Sequence, residues 1–507
     1  MPWKLHNPNH PWYQKAVDRI RLDGEGTLQR QLYRALRDAI LGGRLPPGSR
    51  LPATRALGRD LGLSRNTVLL ACERLLAEGY ATPRPRAGLF VVDALPARPA
   101  PAGRPTTLRL GTETPRPVLS AIGRRLAETV APGRVTWSPW PGALPYDFRY
   151  GEPSFADLPM ETWTRMLGRR ARRLSARRLG YQAPGGAAEL REALAGYLAR
   201  ARGVVCAPEQ IVVVNGSQQA IDLTTRLLVD PGTRVVLEEP HYTGFSACLQ
   251  AAGAAIEYVP VDDAGLRTDL LARVKRARLA CVTPSHQYPA GSVLSLPRRL
   301  ALLEWAAESG AYVLEDDYDG EFRFDARPIA CLQALDRTGR VIYTGTASKL
   351  LFPALRIGWL VTPAPLTPHF LDTKALSDTG TPTLEQLALA DFIAGGHLER
   401  HARRARNRTA ARRAALLEAV DGDLGSRARI RGASAGLHVL LELPGVAARD
   451  LSRLRAACRQ RGVGVYPATP FYAHPPAHAE LLLGYAALDE TRIREGIRRL
   501  GRALESL

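Results

Sequence analysis

The stretch at residues 343–358 reads YTGTASKLLFPALRIG and presents one lysine, Lys349, in a turn between two apolar segments. The apolar segment at 341–343 predicts a buried strand, and Arg356 precedes a second apolar run at 357–361. This order suits a lysine that forms a Schiff base with a carbonyl cofactor, beside hydroxyl and cationic groups that hold a phosphate. The alternative is an ordinary surface lysine in a loop.

Lysine usage in the whole chain weakens that alternative. The sequence contains 69 lysines and arginines together, yet lysine stands only at positions 4, 15, 275, 349 and 374. Arginine fills nearly every ordinary basic position. A lysine kept in this turn therefore indicates a need for its amine, because a guanidinium cannot form an imine.

Composition sets the outer limits on fold class and function. A chain of 507 residues with 45% hydrophobic residues is long enough for two or three domains with sizeable cores. It has no apolar run of about 18 residues and no apolar signal segment near its start, and its six cysteines lack metal-ligand spacing. These features predict a reduced, cytoplasmic protein without membrane association. A formal net charge of +20 favours a polyanionic partner.

The amino-terminal pattern predicts a small domain of helices followed by a hairpin. After an arm at 1–26, we expect helices at 27–41, at 55–61 with Thr54 as N-cap, and at 65–78 with Ser64 as N-cap, then two short strands around 84–88. This order is that of a winged helix-turn-helix over 27–93, with a plain helical bundle as the alternative. A Pro/Ala-rich linker follows at 94–106.

The helix that begins at Arg65 is expected to enter the major groove of DNA by its amino-terminal end. Its first residues would reach base edges or phosphates, and two arginines would lie on the wing. The segment at 43–85, GRLPPGSRLPATRALGRDLGLSRNTVLLACERLLAEGYATPRP, resembles the GntR family in its Leu-Pro, Arg-x-Leu and Ser-Arg-x-Thr-Val signatures. Pattern and resemblance together predict DNA contacts at Arg55, Ser64, Arg65, Asn66, Thr67, Arg84 and Arg86.

Residues 107–507 follow a different pattern, in which helical stretches alternate with short apolar runs. Runs of this kind are typical of buried strands in a mostly parallel α/β sheet with helices on both faces. They lie at 210–214, 234–237, 255–259, 279–283, 311–314, 340–343 and 357–361. From about 408 to 507 the pattern changes to α+β and predicts a smaller subdomain.

Polar motifs follow several of these runs, at the strand ends where open α/β sheets bind ligands. Residues 215–219 open a helix and predict a phosphate site, with an ordinary strand-to-helix turn as the alternative. Residues 239–242 add a tyrosine, and residues 315–319 read EDDYD. So many acids at one strand end call for a cation or a protonated ring nitrogen. A metal is the rival explanation, but it lacks a supporting histidine pattern.

Taken together, these motifs resemble the fold-type I aminotransferases that use pyridoxal 5'-phosphate, over roughly residues 145–500. With the GntR-like segment, the whole chain is similar to the MocR subfamily of GntR regulators. The resemblance implies that Lys349 carries the Schiff base, that Asp316 pairs with the pyridinium nitrogen, that Tyr318 contacts the ring hydroxyl and that Tyr242 stacks on the ring. It places the phosphate on Ser217, Gln218, Thr346, Ser348 and Arg356, and implies a homodimer.

Two departures from the aminotransferase pattern concern substrate binding. Tyr288 stands where an asparagine usually precedes Pro-x-Gly, and His286 or Gln287 is the candidate to replace it. The late arginine that commonly anchors the substrate carboxylate is missing from residues 481–485, which read LLLGY, and Arg149 is the candidate substitute.

The predicted function is a transcription regulator that binds operator DNA and senses pyridoxal phosphate, or an amine or amino acid bound to it. A complete recognition helix and the missing late arginine favour this reading. A working aminotransferase with an accessory DNA-binding head is the first alternative. A DNA-binding architectural protein with an inactive enzyme domain is the second.

Overall fold

The computed structural model describes residues 20–85, 87–93, 118–129, 144–324 and 329–507. Most of the predicted arm, Arg86 and the predicted linker at 94–106 lie outside the described residues. The chain divides into two compact units, Met1–Arg116 and Pro117–Leu507.

In its described residues, the first unit has three helices and an antiparallel hairpin. Its core is formed by buried side chains that include Leu32, Leu36, Leu57, Val68 and Leu75. The elements are α1 (Leu28–Leu41), α2 (Thr54–Asp60), α3 (Arg65–Ala77), β1 (Ala81–Arg84) and β2 (Gly88–Val91). The predicted order of helices and hairpin is confirmed.

The structure confirms one of the two predicted N-caps of this unit and contradicts the other. Ser64 caps α3, because its hydroxyl oxygen accepts a hydrogen bond from the backbone N–H of Thr67 at 3.1 Å. The prediction for Thr54 was wrong by one residue. Ala53 has extended backbone angles and its carbonyl accepts the first helical bond from Leu57, so Thr54 is already the first residue of the helix.

The second unit is built around an eight-stranded sheet in the order β4-β11-β10-β9-β8-β5-β6-β7. Neighbours from β10 to β6 run parallel, whereas β11 is antiparallel to both β10 and β4, and β7 is antiparallel to β6. The predicted mostly parallel sheet is confirmed. The strands are β4 (Ile211–Val214), β5 (Arg234–Glu239), β6 (Ala255–Asp262), β7 (Gly265–Leu266), β8 (Ala277–Val282), β9 (Tyr312–Asp317), β10 (Val341–Thr346) and β11 (Gly358–Val361).

Helices cover both faces of this sheet, which explains the continuous apolar runs. Val235 and Leu237 pack into one buried cluster, while Val236 between them packs into another on the opposite face. The helices are α4 (Ala121–Thr129), α5 (Met160–Arg172), α6 (Ala176–Leu179), α7 (Ala188–Arg202), α8 (Ser217–Leu228), α9 (Thr243–Ala252), α10 (Leu296–Ser309), α11 (Leu332–Leu335), α12 (Thr367–Asp378) and α13 (Thr383–Ala394). Among the described helices, none is long and apolar enough to span a bilayer.

A smaller α+β part follows, with a four-stranded sheet in the order β12-β13-β16-β15. Residue 408 lies inside its first helix, and Phe148 from far upstream belongs to its core. The upstream strand β3 (Tyr146–Asp147) pairs with β14. The elements are α14 (His397–Asp423), β12 (Arg429–Arg431), β13 (His438–Ala447), α15 (Leu451–Gln460), β14 (Val463–Gly464), β15 (Tyr466–Pro467), β16 (His478–Gly484) and α16 (Glu490–Leu504).

The parallel strands explain where the polar motifs meet. The carboxyl ends of β4, β5, β8, β9 and β10 all lie at one edge of the large sheet. The residues that follow these strands therefore lie along one edge of the sheet, where open α/β sheets bind ligands.

Candidate functional site

Lys349 follows β10 and lies half-buried at this edge. Its Nζ donates a hydrogen bond of 2.7 Å to the carbonyl oxygen of Gly151. Burial lowers the pKa of Lys349, although the carboxylates of Asp319, Asp316 and Glu152 act in the opposite direction. A lowered pKa makes the neutral, nucleophilic amine easier to form.

The first turn of α8 and the Arg356 side chain form the predicted phosphate-binding end. Gly216 precedes the helix with a φ of +85°, and a Cβ at this position would lie 2.5 Å from a terminal nitrogen of Arg356. The Arg356 guanidinium donates to the carbonyl oxygen of Asn215 at 2.7 Å. The first backbone N–H groups of α8 thus point to a place beside an exposed guanidinium, an arrangement that binds phosphate.

Two hydroxyl groups at the end of β10 belong to the same region. Thr346 pairs with Gly358 of β11, which in turn pairs with Val214 at the end of β4. The Thr346 hydroxyl donates to Ser348 Oγ at 3.0 Å. Because Ser348 Oγ accepts this bond, its own proton is available for an anion.

Gln218 and Tyr242 contact each other rather than acting separately. The Tyr242 hydroxyl donates to Gln218 Oε1 at 3.3 Å, and the Gln218 amide donates to the carbonyl of Gly244 at 3.3 Å. The Gln218 side chain is therefore occupied by α9, and its backbone N–H, in the first turn of α8, is the group left for the predicted phosphate site. The Tyr242 ring meets Tyr288 edge-on, with centroids 5.5 Å apart.

Asp316, at the end of β9, is a buried carboxylate of the site. Burial raises its pKa to about 8, with a further contribution from Asp317, and its Oδ1 has no hydrogen-bond partner among the described residues. Asp317 differs, since it accepts hydrogen bonds from Arg202 at 2.6 Å and from Tyr343 at 2.8 Å. A protonated ring nitrogen would satisfy the orphaned oxygen of Asp316.

Tyr318 lies next to a cluster that the sequence did not reveal. Its hydroxyl is 2.9 Å from His286 Nδ1, which is also 2.9 Å from Asp319 Oδ2. The rings of His286 and His438 lie 4.7 Å apart. His438 belongs to β13, so the small sheet reaches the site. A histidine inside the apolar run at 437–443 was the only signal for it.

The same cluster bears on the rival metal explanation. His286, Asp319 and His438 each offer a ligand atom, and these atoms lie within 4.8 Å of one another. The histidine pattern that the sequence lacked is therefore supplied by the fold. His286 Nδ1 already serves Tyr318 and Asp319, whereas His286 Nε2, His438 Nε2 and Asp319 Oδ1 are buried without a hydrogen-bond partner among the described residues.

The structure also places the residues named for the two departures. The Gln287 amide nitrogen lies 2.7 Å from the carbonyl of Pro240 and 2.9 Å from that of Tyr288, so Gln287 is committed to its own turn. His286 is the candidate that remains near Tyr318. The Arg149 guanidinium lies 3.5 Å from the Asp147 carboxylate.

In the first unit, the predicted DNA contacts divide into two groups. Arg55, Arg65 and Asn66 are exposed. Ser64 and Thr67 share a hydroxyl hydrogen bond of 2.8 Å at the start of α3, so they shape the end of the helix. Arg84 is exposed and stacks over Phe90, and the remaining predicted contact, Arg86, lies outside the described residues.

The sequence matches two families described from other proteins. Residues 28–91 match the bacterial regulatory proteins of the gntR family, and residues 147–500 match the class I and II aminotransferases. The probable rhizopine catabolism regulatory protein MocR of Rhizobium meliloti is 38% identical over 96% of this chain and 95% of its own length. The HTH-type transcriptional regulator TauR of Rhodobacter capsulatus is 35% identical over 95% of this chain and 97% of its own length.

Among solved structures, the second unit is similar to LysN, the α-aminoadipate aminotransferase of Thermus thermophilus, complexed with N-(5'-phosphopyridoxyl)-L-leucine. The TM-score is 0.66 at 32% identity, covering 71% of this chain and 92% of that protein. The fold and this likeness imply dependence on pyridoxal phosphate. The aminotransferase leaves the first unit unmatched, whereas the regulators span nearly the whole chain, which favours a regulator over a free-standing aminotransferase.

The chain belongs to the MocR subfamily of GntR-type transcriptional regulators, whose members bind DNA through the helix-turn-helix domain.

Proposed function

We propose that this MocR-type regulator binds operator DNA through α3 and the hairpin, and that its second unit senses pyridoxal phosphate or an amine bound to it. The observation that carries the proposal is the orphaned Oδ1 of buried Asp316, at the same sheet edge as the half-buried amine of Lys349. The recognition helix supports the DNA side, since Arg65 and Asn66 are exposed at its start.

The residues at the sheet edge fit the cofactor. The Lys349 amine would hold its aldehyde carbon, Asp316 would keep the ring nitrogen protonated, and Tyr318 would contact the ring hydroxyl. The start of α8, with Arg356 beside it, would hold the phosphate. When bound, pyridoxal phosphate supplies an aldehyde that captures primary amines and a ring that withdraws electrons.

A ligand changes DNA affinity only when it binds two arrangements of the protein with different affinities. We expect pyridoxal phosphate, or an amine added with it, to shift operator affinity by about 5- to 150-fold. Genomic fragments captured by the purified protein provide the operator, and fluorescence anisotropy titrations with and without the cofactor measure the shift. Identical curves, together with rapid turnover of an amino acid, would favour the aminotransferase alternative.

The DNA side has its own test in Arg65→Ala. Loss of a base or phosphate contact at the start of α3 should cost about 1–3 kcal/mol at the operator and relax specificity. Arg30→Ala is the matched control, because Arg30 is also exposed but lies on α1. Equal operator affinity of both variants and the unmodified protein would exclude the proposed docking.

The proposal includes a homodimer. Its support in the structure is a set of large apolar side chains that lie on the surface of the second unit: Leu179 at 74% exposure, Tyr181 at 94% and Leu376 at 91%. Sedimentation equilibrium of the cofactor-bound protein at micromolar concentration should give the dimer mass. A monomer under these conditions would contradict this part of the proposal.

A further inference from the structure

Buried rings and leucines of the second unit form one side of the sheet edge that carries Lys349. The cluster, called the aromatic wall below, consists of Tyr288, Ala290, Leu440, Ala468, Phe471 and Leu482, with Tyr150, Tyr242, Tyr318 and Tyr472 packed against it. Tyr242 and Tyr318 are predicted cofactor contacts, and Tyr150 precedes the glycine that accepts a hydrogen bond from Lys349. The aromatic wall therefore borders the cofactor site.

The end of β16 brings Leu482 to this wall. Leu482 pairs with Leu440 of β13 on one side and with Tyr466 of β15 on the other. Two residues along the same face, a Cβ on Gly484 would lie 2.5 Å from the Cα of Tyr150. The strand thus runs against the segment that holds Lys349, and it presents a fully buried leucine there.

Rings in this wall contact one another closely. The Phe471 ring lies 5.1 Å from Tyr288 and 5.8 Å from Tyr150, in edge-to-face geometry. Such surfaces bind apolar and aromatic groups, and their ring faces attract ammonium ions.

The charges around Lys349 are mostly negative. Asp319 and Glu152 act on its amine as carboxylates, Asp316 is committed to the ring nitrogen in the proposed function, and Arg356 is the cation that opposes them. Arg356 lies at the start of α8, where the phosphate is expected. Arg149, the candidate carboxylate anchor, lies 3.5 Å from Asp147 and is charge-compensated by it.

These features have opposite consequences for the two ends of an amino acid. Its amine would be attracted by the carboxylates, and an apolar body would pack against the rings. Its carboxylate would lie between like charges and apolar side chains, and burial of an unpaired carboxylate is strongly unfavourable.

We propose that the effector is a primary amine with an apolar or aromatic body and no carboxylate beside the amine. This inference rests on the proposed function and adds the chemical class of the ligand. Leu482 and the rings of the aromatic wall determine that class.

Matched pairs that differ only by the carboxylate test the proposal: tyramine with tyrosine, phenethylamine with phenylalanine, and isoamylamine with leucine. Each compound is titrated into the full-length protein loaded with pyridoxal phosphate. Changes in the cofactor absorbance report binding, and operator anisotropy reports the response. We expect each amine to half-saturate at a concentration about 10- to 100-fold below that of its amino acid.

An amino acid that binds as tightly as its amine overturns the inference, and so does a cofactor spectrum that no amine of the panel changes. Both results leave the proposed function standing if the cofactor alone shifts operator affinity. Failure to bind pyridoxal phosphate, or no operator response to it, is instead the failure of the proposed function.

The substitution Leu482→Arg tests whether the aromatic wall determines the preference for an amine over the matching amino acid. A guanidinium there should pair with the carboxylate and should narrow or reverse the preference for the amine. Leu300→Arg is the matched control, since it adds the same charge on α10, where Leu300 is 51% exposed. An unchanged preference in a folded Leu482→Arg protein contradicts the assignment. If that variant does not fold, the matched pairs on the unmodified protein decide alone.

Discussion

Around the first turn of α8, the pocket offers a guanidinium, hydroxyl groups and backbone N–H groups, whereas the aromatic wall offers phenyl, phenol and leucine side chains. The first region is suited to a phosphate dianion. The second is apolar and aromatic, and Arg149, which adjoins its member Tyr150, lies 3.5 Å from the Asp147 carboxylate. The residues proposed to hold the cofactor thus lie in a polar region, and the inference drawn above assigns an apolar region to the place of an amino-acid carboxylate.

This difference separates cofactor binding from amino-acid turnover. In the proposed function, Lys349, Asp316 and Arg356 serve the cofactor whatever is bound to it. Selection for sensing needs those residues and a selective wall, and it does not need a group that binds every amino acid in one orientation for transamination. A regulator that keeps the first region and changes the second fits this pattern.

The largest expected effect is that of Lys349→Ala on the cofactor region. Without the amine, covalent attachment of pyridoxal phosphate should be lost completely, because Lys349 is the residue proposed to bond the aldehyde carbon. The measurement is absorbance after borohydride treatment and removal of small molecules. Lys275→Ala is the control, since Lys275 is an exposed lysine. Thermal stability should change little, because the substitution removes one half-buried amine whose pKa burial lowers.

The next largest effect is expected for Arg356→Ala, which tests whether the phosphate region contributes most of the affinity for the cofactor. Affinity for pyridoxal phosphate should fall about 10- to 100-fold, as expected when a hydrogen bond to a charged group is lost. Arg276→Ala is a matched control, because Arg276 is exposed and has a φ of 59°, close to the 51° of Arg356. The alanine in either variant therefore has the same strained backbone conformation with a positive φ. Equal losses of cofactor affinity in the two variants would show that the phosphate does not bind at Arg356.

The sequence predicted the cofactor region better than the wall for a physical reason. Motifs that follow parallel strands meet at one sheet edge whatever the details of packing, so local patterns around Ser217, Asp316 and Lys349 were enough to place these residues. The aromatic wall joins Tyr150, Tyr288, Phe471 and Leu482, which are far apart in the sequence. Only tertiary packing brings them together, and a leucine or phenylalanine alone looks like ordinary core.

The same reasoning explains the smaller misses. His438 lies in an apolar strand whose pattern gave no reason to connect it with His286, more than a hundred residues upstream. The start at 408 lies within a continuous helix, because charge and periodicity do not change where a helix passes from one part of a fold to another. Thr54 missed its capping role by one residue, the usual precision of helix ends.

A moderate effect is expected for Asp316→Asn in the cofactor-free protein. Burial raises the pKa of Asp316 to about 8, well above its value in the unfolded chain. As pH rises from about 4 towards 8, the unfolded chain releases this proton while the folded protein keeps it, so stability is lost over this range. The Tm of the unmodified apoprotein should therefore fall more than that of Asp316→Asn over this range. Calorimetry with the exposed Asp263→Asn as control measures it. Bound cofactor should remove the difference, since a ring cation stabilises the carboxylate; parallel curves for the two apoproteins would contradict the assignment.

The smallest effect concerns His286, which acts through Tyr318. Its Nδ1 lies 2.9 Å from both the Asp319 carboxylate and the Tyr318 hydroxyl. Because a carboxylate is the stronger acceptor, His286 Nδ1–H donates to Asp319. The hydroxyl proton of Tyr318 therefore remains available for a hydrogen bond to the cofactor. His286 thereby orients the Tyr318 hydroxyl as a hydrogen-bond donor to the cofactor.

His286→Phe should loosen the phenol and raise the pH at which the cofactor absorbance titrates, by less than about one unit. Tyr318→Phe, which removes the donor itself, should raise it further, and the double variant should match Tyr318→Phe alone, because the two residues act as one unit. His286→Asn, which can still hydrogen-bond the phenol, should lie closer to the unmodified protein. Additive shifts in the double variant would show that His286 acts on the cofactor independently of Tyr318. The His286 ring would then belong to the cofactor region.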